Sequence, residues 1–378
     1  MSDSKTDIVI QNLLKRAAPG RGEFEDLVIV PLFAVVAALV LGALTMLATS
    51  VEPATIARSY LALLQGSVGS LNAISETLTA AIPLILAGLG LALGFRAGLF
   101  NIGAEGQILM GGMAAVITGF SFPFLPVYLL LPLCLLSGAL VGAFYAGIAG
   151  WLRAATGAHE VISTIMLNLI SYRLIDYMLR LPFVQREGRS DPISKSVPDH
   201  AQLPELLDWI DPNLRLHAGL FLALAAVLFV YWLLFRTKIG FEFRASGASP
   251  DAARFAGMRS GLTIVLAMAS AGALAGLAGS VQVLGVLERV TPGFSAGIGF
   301  DAIAVALLGR SHPFGVLLAG LLFGALEAGG RQMQVDAGVS IDLIGIIQAL
   351  IIVFIAAPLL VRALFPWGFR KPATAKGK

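Results

Sequence analysis

The stretch FRAGLFNIGAEGQ, residues Phe95 to Gln107, puts four polar side chains and three glycines between two strongly apolar runs. The polar side chains are those of Arg96, Asn101, Glu105 and Gln107. At membrane depth, irregular backbone is tolerated only where it is buried in protein or lines a watery cavity. Glycine permits the bends, and an acid such as Glu105 suits the first turn of the helix that follows. The stretch therefore predicts either a helix broken within a membrane bundle or an ordinary turn between two spans.

The composition indicates a membrane protein. Hydrophobic residues make up 57% of the 378 residues and charged residues only 13%, and the mean hydropathy is +0.85, which is too apolar for one buried core. The basic residues lie in short loops, so the pI near 9.1 does not indicate a nucleic acid polymer as partner. The single cysteine, Cys134, offers neither a disulfide framework nor a cysteine metal site. The first residues lack the pattern of a cleavable signal peptide, so we expect the first apolar run to remain as a span.

About 20 apolar residues span a bilayer core of roughly 30 Å as a helix. Ten runs reach or approach that length: Leu27 to Ala48, Leu78 to Phe95, Ile108 to Phe124, Tyr128 to Leu152, Val161 to Leu181, His217 to Leu234, Leu262 to Leu287, Gly297 to Leu308, Phe314 to Gly330 and Ile341 to Leu364. The sequence therefore predicts an all-α polytopic bundle of about ten transmembrane helices with broken or re-entrant segments. The eighth run is short enough to be a half-helix.

The basic residues predict the orientation of these spans. Alternating spans from a cytoplasmic N-terminus give a cytoplasmic segment 1–26, a transmembrane domain 27–364 and a cytoplasmic tail 365–378. This orientation also makes the basic segment 235–261 cytoplasmic and the long segment 182–216, where acids outnumber bases, extracytoplasmic. The positive-inside rule supports it, and both termini are expected in the cytoplasm.

Small residues recur four apart within several predicted spans. Gly138 and Gly142 form one such pair, and Gly272 and Gly276 form another. Because residues four apart share one face of a helix, these pairs predict neighbouring helices whose backbones approach closely.

A second polar break follows in the other half of the chain. The stretch ERVTPGFSAGIGFDAIAVALLGR, Glu288 to Arg310, again puts glycines and an acid, Asp301, at the start of a shortened apolar helix. Half-helix ends bind polar solutes near the midplane in transporters, and two such interruptions indicate a translocation site. The candidates for the substrate path are one aromatic residue, as a stacking surface, and five polar residues: Phe100, Asn101, Glu105, Gln107, Asn168 and Asp301.

The segment from Phe235 to Leu262 predicts a short cytoplasmic helix. Ser249 can cap it, Pro250 suits its first turn, and Gly257 suits its end. A helix of about seven residues is not stable alone, so a neighbour or a partner must hold it. It is either an interfacial helix beside anionic lipids or a docking element. The candidate docking residues are Ser249, Pro250, Asp251, Ala252, Ala253, Arg254, Gly257 and Met258.

Three runs carry a broader resemblance: AGLFNIGAEGQILMGGMAA, GAHEVISTIMLNLI and RASGASPDAARFAGMRSGLTIVLAMASAGALAGLAGS. They resemble the permease subunits of bacterial ABC importers for nucleosides and simple sugars, a family related to ribose and branched-chain amino acid permeases. The resemblance covers residues 70 to 365, and the core F-N-I-G-x-E-G-Q points to the nucleoside-type branch. Residues 251–257 also resemble, with Asp for Glu, the E-A-A-x-x-x-G pattern by which such permeases engage their ATPases.

The resemblance implies a ten-span permease of the bacterial inner membrane that imports a nucleoside or a simple sugar by alternating access. Its implied partners are two ATPase domains, a second permease that is either a homologue or a copy of this chain, with a homologue favoured, and an extracytoplasmic binding protein. Asp251 to Met258 would be the coupling helix, and Asn101 to Gln107 with Gly297 to Asp301 would line the path. The chain contains no G-x-x-x-x-G-K-[ST] phosphate loop, so we expect no cofactor in it and expect the partner ATPases to bind ATP and magnesium.

Two other functions stay open. In a secondary transporter driven by protons or sodium, Glu105, Asp176, Asp301 and Glu327 would be the coupling carboxylates, although that function leaves the pattern at 249–257 unexplained. An intramembrane enzyme is disfavoured, because the sequence contains no H-E-x-x-H and no serine and histidine spacing that suggests a nucleophile.

Overall fold

The computed structural model describes residues 30–340 and 342–356. This part of the chain is helical, and its β-structure is limited to two isolated bridges. The predicted segments 1–26 and 365–378, and the outer ends of the first and last predicted spans, lie outside the described residues. The all-helical fold is confirmed for the part that is described.

The described α-helices are α1 Val30–Ala48, α2 Pro53–Val68, α3 Leu71–Arg96, α4 Ala104–Ser121, α5 Val127–Thr156, α6 Glu160–Met178, α7 Gly219–Arg236, α8 Lys238–Ala248, α9 Pro250–Phe255, α10 Ser260–Gln282, α11 Ile298–Leu308, α12 Pro313–Ala337 and α13 Asp342–Ala356. A π-helical turn, Val283–Leu287, continues α10. Each of the ten predicted runs overlaps one of these helices.

Within the described residues, five helices are long and apolar enough to cross a membrane: α3, α5, α7, α10 with its π turn, and α12. Shorter apolar helices occur within α1, α11 and α13. These lengths indicate a multi-pass membrane protein. The number of about ten spans and the side on which the termini lie stay predictions.

Two helices were not predicted, α2 and α8. Arg58 and several other polar side chains interrupt the apolar pattern of α2, and α8 has the mixed sequence KIGFEFRASGA. Because helices of this kind are stabilised by their neighbours more than by their own propensity, hydropathy alone does not reveal them. In addition, α3 begins seven residues before the predicted span, where Ser70 accepts a hydrogen bond from the Ala73 N–H (3.0 Å).

The chain divides into two compact units. The first comprises residues 1–60 and 334–378, and in its described part α1 packs on α13. The Tyr60 hydroxyl donates to the Leu39 carbonyl (2.5 Å), and a Cβ built on Gly42 would lie 2.8 Å from Ile347. The second unit, residues 61–333, contains both polar breaks and the predicted coupling segment.

The core of the second unit forms around α10, which packs on α3, α4 and α5. A Cβ built on Gly272 would lie 2.3 Å from the Gly142 carbonyl oxygen, and one on Gly276 would lie 2.2 Å from that of Gly138. No side chain fits at these distances, so the predicted close packing of the glycine pairs is confirmed. α3 is the most buried of the five long apolar helices, and the first polar break lies at its C-terminal end.

Candidate functional site

The first polar break, residues 97–103, separates α3 from α4. Gly98 takes a left-handed conformation (φ +71°), and the Leu99 N–H returns to the Gly94 carbonyl to close α3. The chain then stays irregular until Ala104, so its backbone groups need partners from outside the break. The chain is therefore irregular between α3 and α4, as both the broken-helix and the turn interpretation of the sequence predicted.

One face of α6 supplies those partners. Glu160 accepts from the Phe100 N–H (3.1 Å), and Thr164 accepts from the Ile102 N–H (3.3 Å). Asn168 donates to the Ile102 carbonyl and accepts from the first turn of α4 (both 2.9 Å). All three side chains are buried. Because each is four residues from the next, they form a single polar stripe that replaces water along the break.

The two amides inside the break satisfy each other. Asn101 donates to Gln107 and accepts from it (both 3.1 Å), and Asn101 also accepts from the Gly103 N–H (2.8 Å). Both side chains are about 1% exposed. The pair therefore fixes the path of the backbone into α4, and its hydrogen-bonding groups are already occupied by protein.

Glu105 joins the two polar breaks. Its carboxylate accepts from the backbone N–H groups of Gly297 (3.3 Å) and Gly299 (2.8 Å) at the start of α11. It also accepts from the hydroxyls of Ser295 and Tyr172, the latter at 3.0 Å. The side chain is completely buried. One carboxylate in the first turn of α4 thus also binds the N-terminus of α11, where the helix dipole favours negative charge.

The N-termini of α4 and α11 are in backbone contact. A Cβ built on Gly299 would lie 2.3 Å from the Glu105 backbone nitrogen, so only glycine fits there. At the other end of α11, the Arg96 guanidinium donates to the Ser311 carbonyl (3.0 Å). Since α11 has 11 residues at ~1.5 Å each, Glu105 lies on the order of 16 Å from the end of α3. That is about half the thickness of a bilayer core.

Five of the six predicted path residues lie in or next to the contact between the N-termini of α4 and α11. They are Asn101, Glu105, Gln107, Asn168 and Asp301. Asp301 lies in the first turn of α11, the helix whose N-terminus binds Glu105. Phe100 is 40% exposed and stacks on Phe95 (4.9 Å between ring centroids) instead of joining the polar groups. Solute contact by any of the six stays a prediction.

Sequence reasoning missed four residues of this cluster: Glu160, Thr164, Tyr172 and Ser295. A signal existed for three of them, because Glu160, Thr164, Asn168 and Tyr172 recur at every fourth position along α6. That spacing places them on one helix face. Nothing local marks Ser295, which meets Glu105 across the fold.

The short helix predicted within residues 235–262 is confirmed as α9. The Ser249 hydroxyl accepts from the Ala252 N–H (3.4 Å), Pro250 is the first helical residue, and Gly257 ends the turn with φ +83°. Phe255, which was not predicted, is 93% exposed. A large apolar side chain this exposed on a six-residue helix suits contact with a partner.

The preceding helix, α8, touches the first polar break. A Cβ built on Gly247 would lie 2.2 Å from the Arg96 carbonyl oxygen and 2.8 Å from the Gly98 nitrogen. The residue must therefore be glycine for the two backbones to meet. A single residue, Ser249, separates α8 from α9, so α8 connects α9 to the first polar break along the chain.

The turn that joins α11 to α12 lies beside Arg96. Arg310 and Ser311 both take positive φ there (51° and 52°). Burial, and then the positive charge of Arg96, lower the pKa of the neighbouring His312 below its ordinary value. Among the described residues, no group of three or more His, Cys, Asp or Glu side chains could hold a metal ion.

Comparison with known proteins places these features in a family. The family model described as the permease component of branched-chain amino acid transport systems matches residues 73–356. The guanosine ABC transporter permease protein NupP of Bacillus subtilis is 38% identical over 335 residues, 88% of this chain and 94% of that protein. The glucose ABC transporter permease protein TsgB13 of Haloferax volcanii is 38% identical over 331 residues, 86% of each chain. The nucleoside ABC transporter permease protein NupB of Lactococcus lactis is 37% identical over 343 residues, 90% and 93% of the two chains.

Two more distant relatives come from Bacillus subtilis and Lactococcus lactis. The guanosine permease protein NupQ of Bacillus subtilis is 27% identical over 259 residues, 68% of this chain and 80% of its own. The nucleoside permease protein NupC of Lactococcus lactis is 25% identical over 253 residues, 66% and 79% of the two chains. No solved structure matches the chain.

Proposed function

This chain belongs to the family of permease components of branched-chain amino acid transport systems, and we propose that it is the permease subunit of an ATP-driven importer for a small polar solute. A nucleoside is the first candidate for that solute and a simple sugar the second, because the similar proteins are named as permeases for guanosine, nucleosides and glucose. The proposed location is the bacterial inner membrane.

The observation that carries this proposal is the meeting of two broken helices at Glu105. Half-helix N-termini near mid-membrane are the sites at which transporters hold polar solutes. Here the two termini come from the two halves of the chain, and one buried carboxylate in the first turn of α4 binds the start of α11. A rearrangement that separates α4 from α11 would open backbone N–H groups and the side chains around Glu105 to a solute.

The proposed partners are those of a complete importer. Two ATPase domains would drive transport, with α9 as the docking element of this chain, and a binding protein would deliver the solute from the other side. NupP and NupQ, and likewise NupB and NupC, are pairs of unequal permeases named for the same solutes in one bacterium. These pairs support a second permease that differs from this chain.

In the proposed mechanism, closure of the ATPases moves α9, and α8 passes that movement to the first polar break. The contact of Gly247 with Arg96 and Gly98 supports this route. Because the two backbones touch directly, α8 cannot shift toward the first polar break without displacing it. The break is tied to α6 and, through Glu105, to α11. Both breaks would therefore shift together as the bundle exchanges its outward-open and inward-open forms.

Transport driven by an ion gradient is the weaker candidate. Glu105 already accepts hydrogen bonds from two backbone N–H groups and two hydroxyls, and its side chain is completely buried. A carboxylate that is held in this way is a poor shuttle for a proton. The similar proteins also carry the names of ABC transporter subunits.

The proposal is tested by replacing Phe255, an apolar side chain of α9 that is 93% exposed. The protein would be co-expressed with its candidate ATPase and partner permease, and the amount of ATPase that copurifies would be measured. Phe255→Ala together with Asp251→Ala should reduce the bound ATPase and the uptake of guanosine by at least about tenfold, because contacts at a small docking surface concentrate in a few exposed anchors.

Phe124→Ala is the matched control, since Phe124 is also strongly exposed (77%) but lies in the turn between α4 and α5. This variant should keep both the ATPase and the uptake. A wild-type chain that binds no ATPase, yet accumulates guanosine under a proton or sodium gradient, would overturn the proposal in favour of secondary transport.

A further inference from the structure

Four charged side chains form a network near the Leu71 end of α3, opposite the end that contacts α8. Arg215 donates two hydrogen bonds to the Glu76 carboxylate (2.8 and 2.6 Å). Arg331 donates to Glu76 (3.3 Å) and to Glu327 (2.9 Å). The network therefore connects α3, α12 and the segment that precedes α7.

The network lies over a small polar cavity. Its other walls include Gln282 at the end of α10, Val286 in the π turn, and Ile298, the first residue of α11. Gly297 and Gly299, on either side of Ile298, donate to Glu105. One wall of the cavity is thus formed by the first residue of α11, at the half-helix N-terminus where we place the solute.

In this conformation the cavity is too small for a solute. Its volume is about 40 Å³, which is room for one or a few water molecules, since a water occupies about 30 Å³ in the liquid. A nucleoside or a sugar could reach Ile298 from this side only if the charged side chains above it separated.

The ion pairs suit repeated separation. The Arg331 and Glu327 side chains are 43% and 42% exposed, and Glu76 is 20% exposed. Pairs with this much solvent access contribute little to stability, because water replaces the lost partner. An ion pair that stays closed throughout transport would be expected to be buried, as the Glu105 side chain is.

We propose that Glu76, Arg215, Glu327 and Arg331 are the extracytoplasmic gate of the permease. This inference rests on the proposed function, and it adds the residues that close the path above the meeting of α4 and α11. The gate contains two positive and two negative groups, so its open form offers hydrogen-bond donors and acceptors without net charge. That balance matches an uncharged, hydroxyl-rich solute.

The test uses the complete importer, with its ATPases, partner permease and binding protein, in proteoliposomes. A loosened gate should let the complex reach its active form without the binding protein. We expect Arg331→Gln, which removes two ion pairs, to raise ATP hydrolysis without binding protein roughly five- to thirtyfold. Arg331→Lys, which keeps the charge, should raise it less.

Arg189→Gln is the matched control, because it breaks an exposed pair with Asp191 (2.9 Å) in the same extracytoplasmic segment. It should leave hydrolysis at the wild-type level. Arg215→Gln is a second test of the gate in case Arg331→Gln does not assemble, and gel filtration shows which variants form intact complexes.

The outcomes separate the gate from the proposed function. If wild type imports guanosine with ATP, and intact Arg331→Gln and Arg215→Gln complexes hydrolyse ATP like Arg189→Gln, the gate is overturned and the importer stands. If the wild-type complex drives no uptake of guanosine or glucose with ATP, both proposals are overturned. A rise in hydrolysis confined to the gate variants supports both.

Discussion

Glu105 puts one negative charge at the N-termini of two helices, and this makes its oxygens hard to replace. In Glu105→Gln, an NH₂ group takes the place of one oxygen and faces hydrogen-bond donors such as the Gly299 N–H. Because the variant leaves a buried donor without an acceptor, we expect a loss of about 2 kcal/mol in stability and a strong loss of uptake. Thermal unfolding of the purified protein in detergent measures the first effect.

The control for this prediction is Glu187→Gln, the same change at a side chain that is 89% exposed. Its unfolding temperature should match that of wild type. A Glu105→Gln protein as stable as this control would mean that the carboxylate does not hold α11.

His312 should make the turn between α11 and α12 sensitive to acid. Its lowered pKa means that the folded protein favours the neutral imidazole, so the unfolded chain takes up the proton first as the pH falls. Stability is therefore present above the ordinary histidine pKa of about 6.5 and is lost below it. We expect the unfolding temperature of wild type to fall more than that of His312→Asn between about pH 7.5 and about pH 5.5.

His200→Asn removes an exposed histidine instead and should keep the acid sensitivity of wild type. Equal pH dependence of His312→Asn and wild type would contradict the assignment of the effect to this turn.

Individual residues of the site differ in how far the sequence could predict them. Glu105 and Asn168 are recognisable in the sequence because a polar side chain within an apolar run is costly in a membrane and therefore suggests a function. Ser295 does not, because its partner lies 190 residues away and a serine in a loop is ordinary. The sequence also suggested that Asn101 and Gln107 would be free to bind a solute, whereas the structure pairs them with each other. The local sequence therefore predicts which residues are polar within an apolar run, whereas their hydrogen-bond partners depend on the three-dimensional fold.

Among the elements, α8 is the one whose contact has a direct mechanical consequence. In Gly247→Ala, the new methyl group would lie 2.2 Å from the Arg96 carbonyl oxygen, so α8 must move away from the polar break. Because α9 is unchanged, we expect the ATPase to stay bound while the uptake of guanosine per ATP hydrolysed falls several-fold. Reconstituted complexes give both quantities.

Gly261→Ala adds the same methyl group to the first turn of α10, where its nearest neighbour would be Ala154 at an ordinary 3.6 Å. This variant should transport like wild type. If Gly247→Ala also transports normally, the coupling movement does not pass through this contact.

The helices that sequence predicted well are those whose surroundings are uniformly apolar, such as α3 and α5. The shortened helix α11 was also foreseen, since a 12-residue apolar run cannot cross a bilayer core. By contrast, α2 and α8 depend on packing. Near the end of α8, Ser246 is buried and Gly247 contacts the backbone of Arg96 and Gly98. A periodic sequence pattern does not predict such contacts.

At the scale of the whole molecule, the two polar breaks were predicted separately and the fold brings them together. The sequence indicated one interruption in each half, but it could not give their contact, because register and distance depend on how α3, α6 and α11 pack. The same limit applies to topology. Hydropathy and charge predict which segments share a side of the membrane, and helix length alone identifies only five clear spans among the described residues.

The predicted topology can be tested with four single-cysteine reporters, since the native Cys134 is fully buried. Phe124→Cys, Thr156→Cys, Glu187→Cys and Phe255→Cys lie at exposed positions separated in turn by α5, α6 and α7. If each of these helices crosses the membrane, a membrane-impermeant maleimide should label positions 124 and 187 in intact cells, and positions 156 and 255 only after permeabilisation. Labelling of positions 156 and 187 from the same side would show that α6 does not span. α6 holds the first polar break through Glu160, Thr164 and Asn168. If α6 does not span the membrane, the first polar break could not lie inside the membrane, where an alternating-access path requires it.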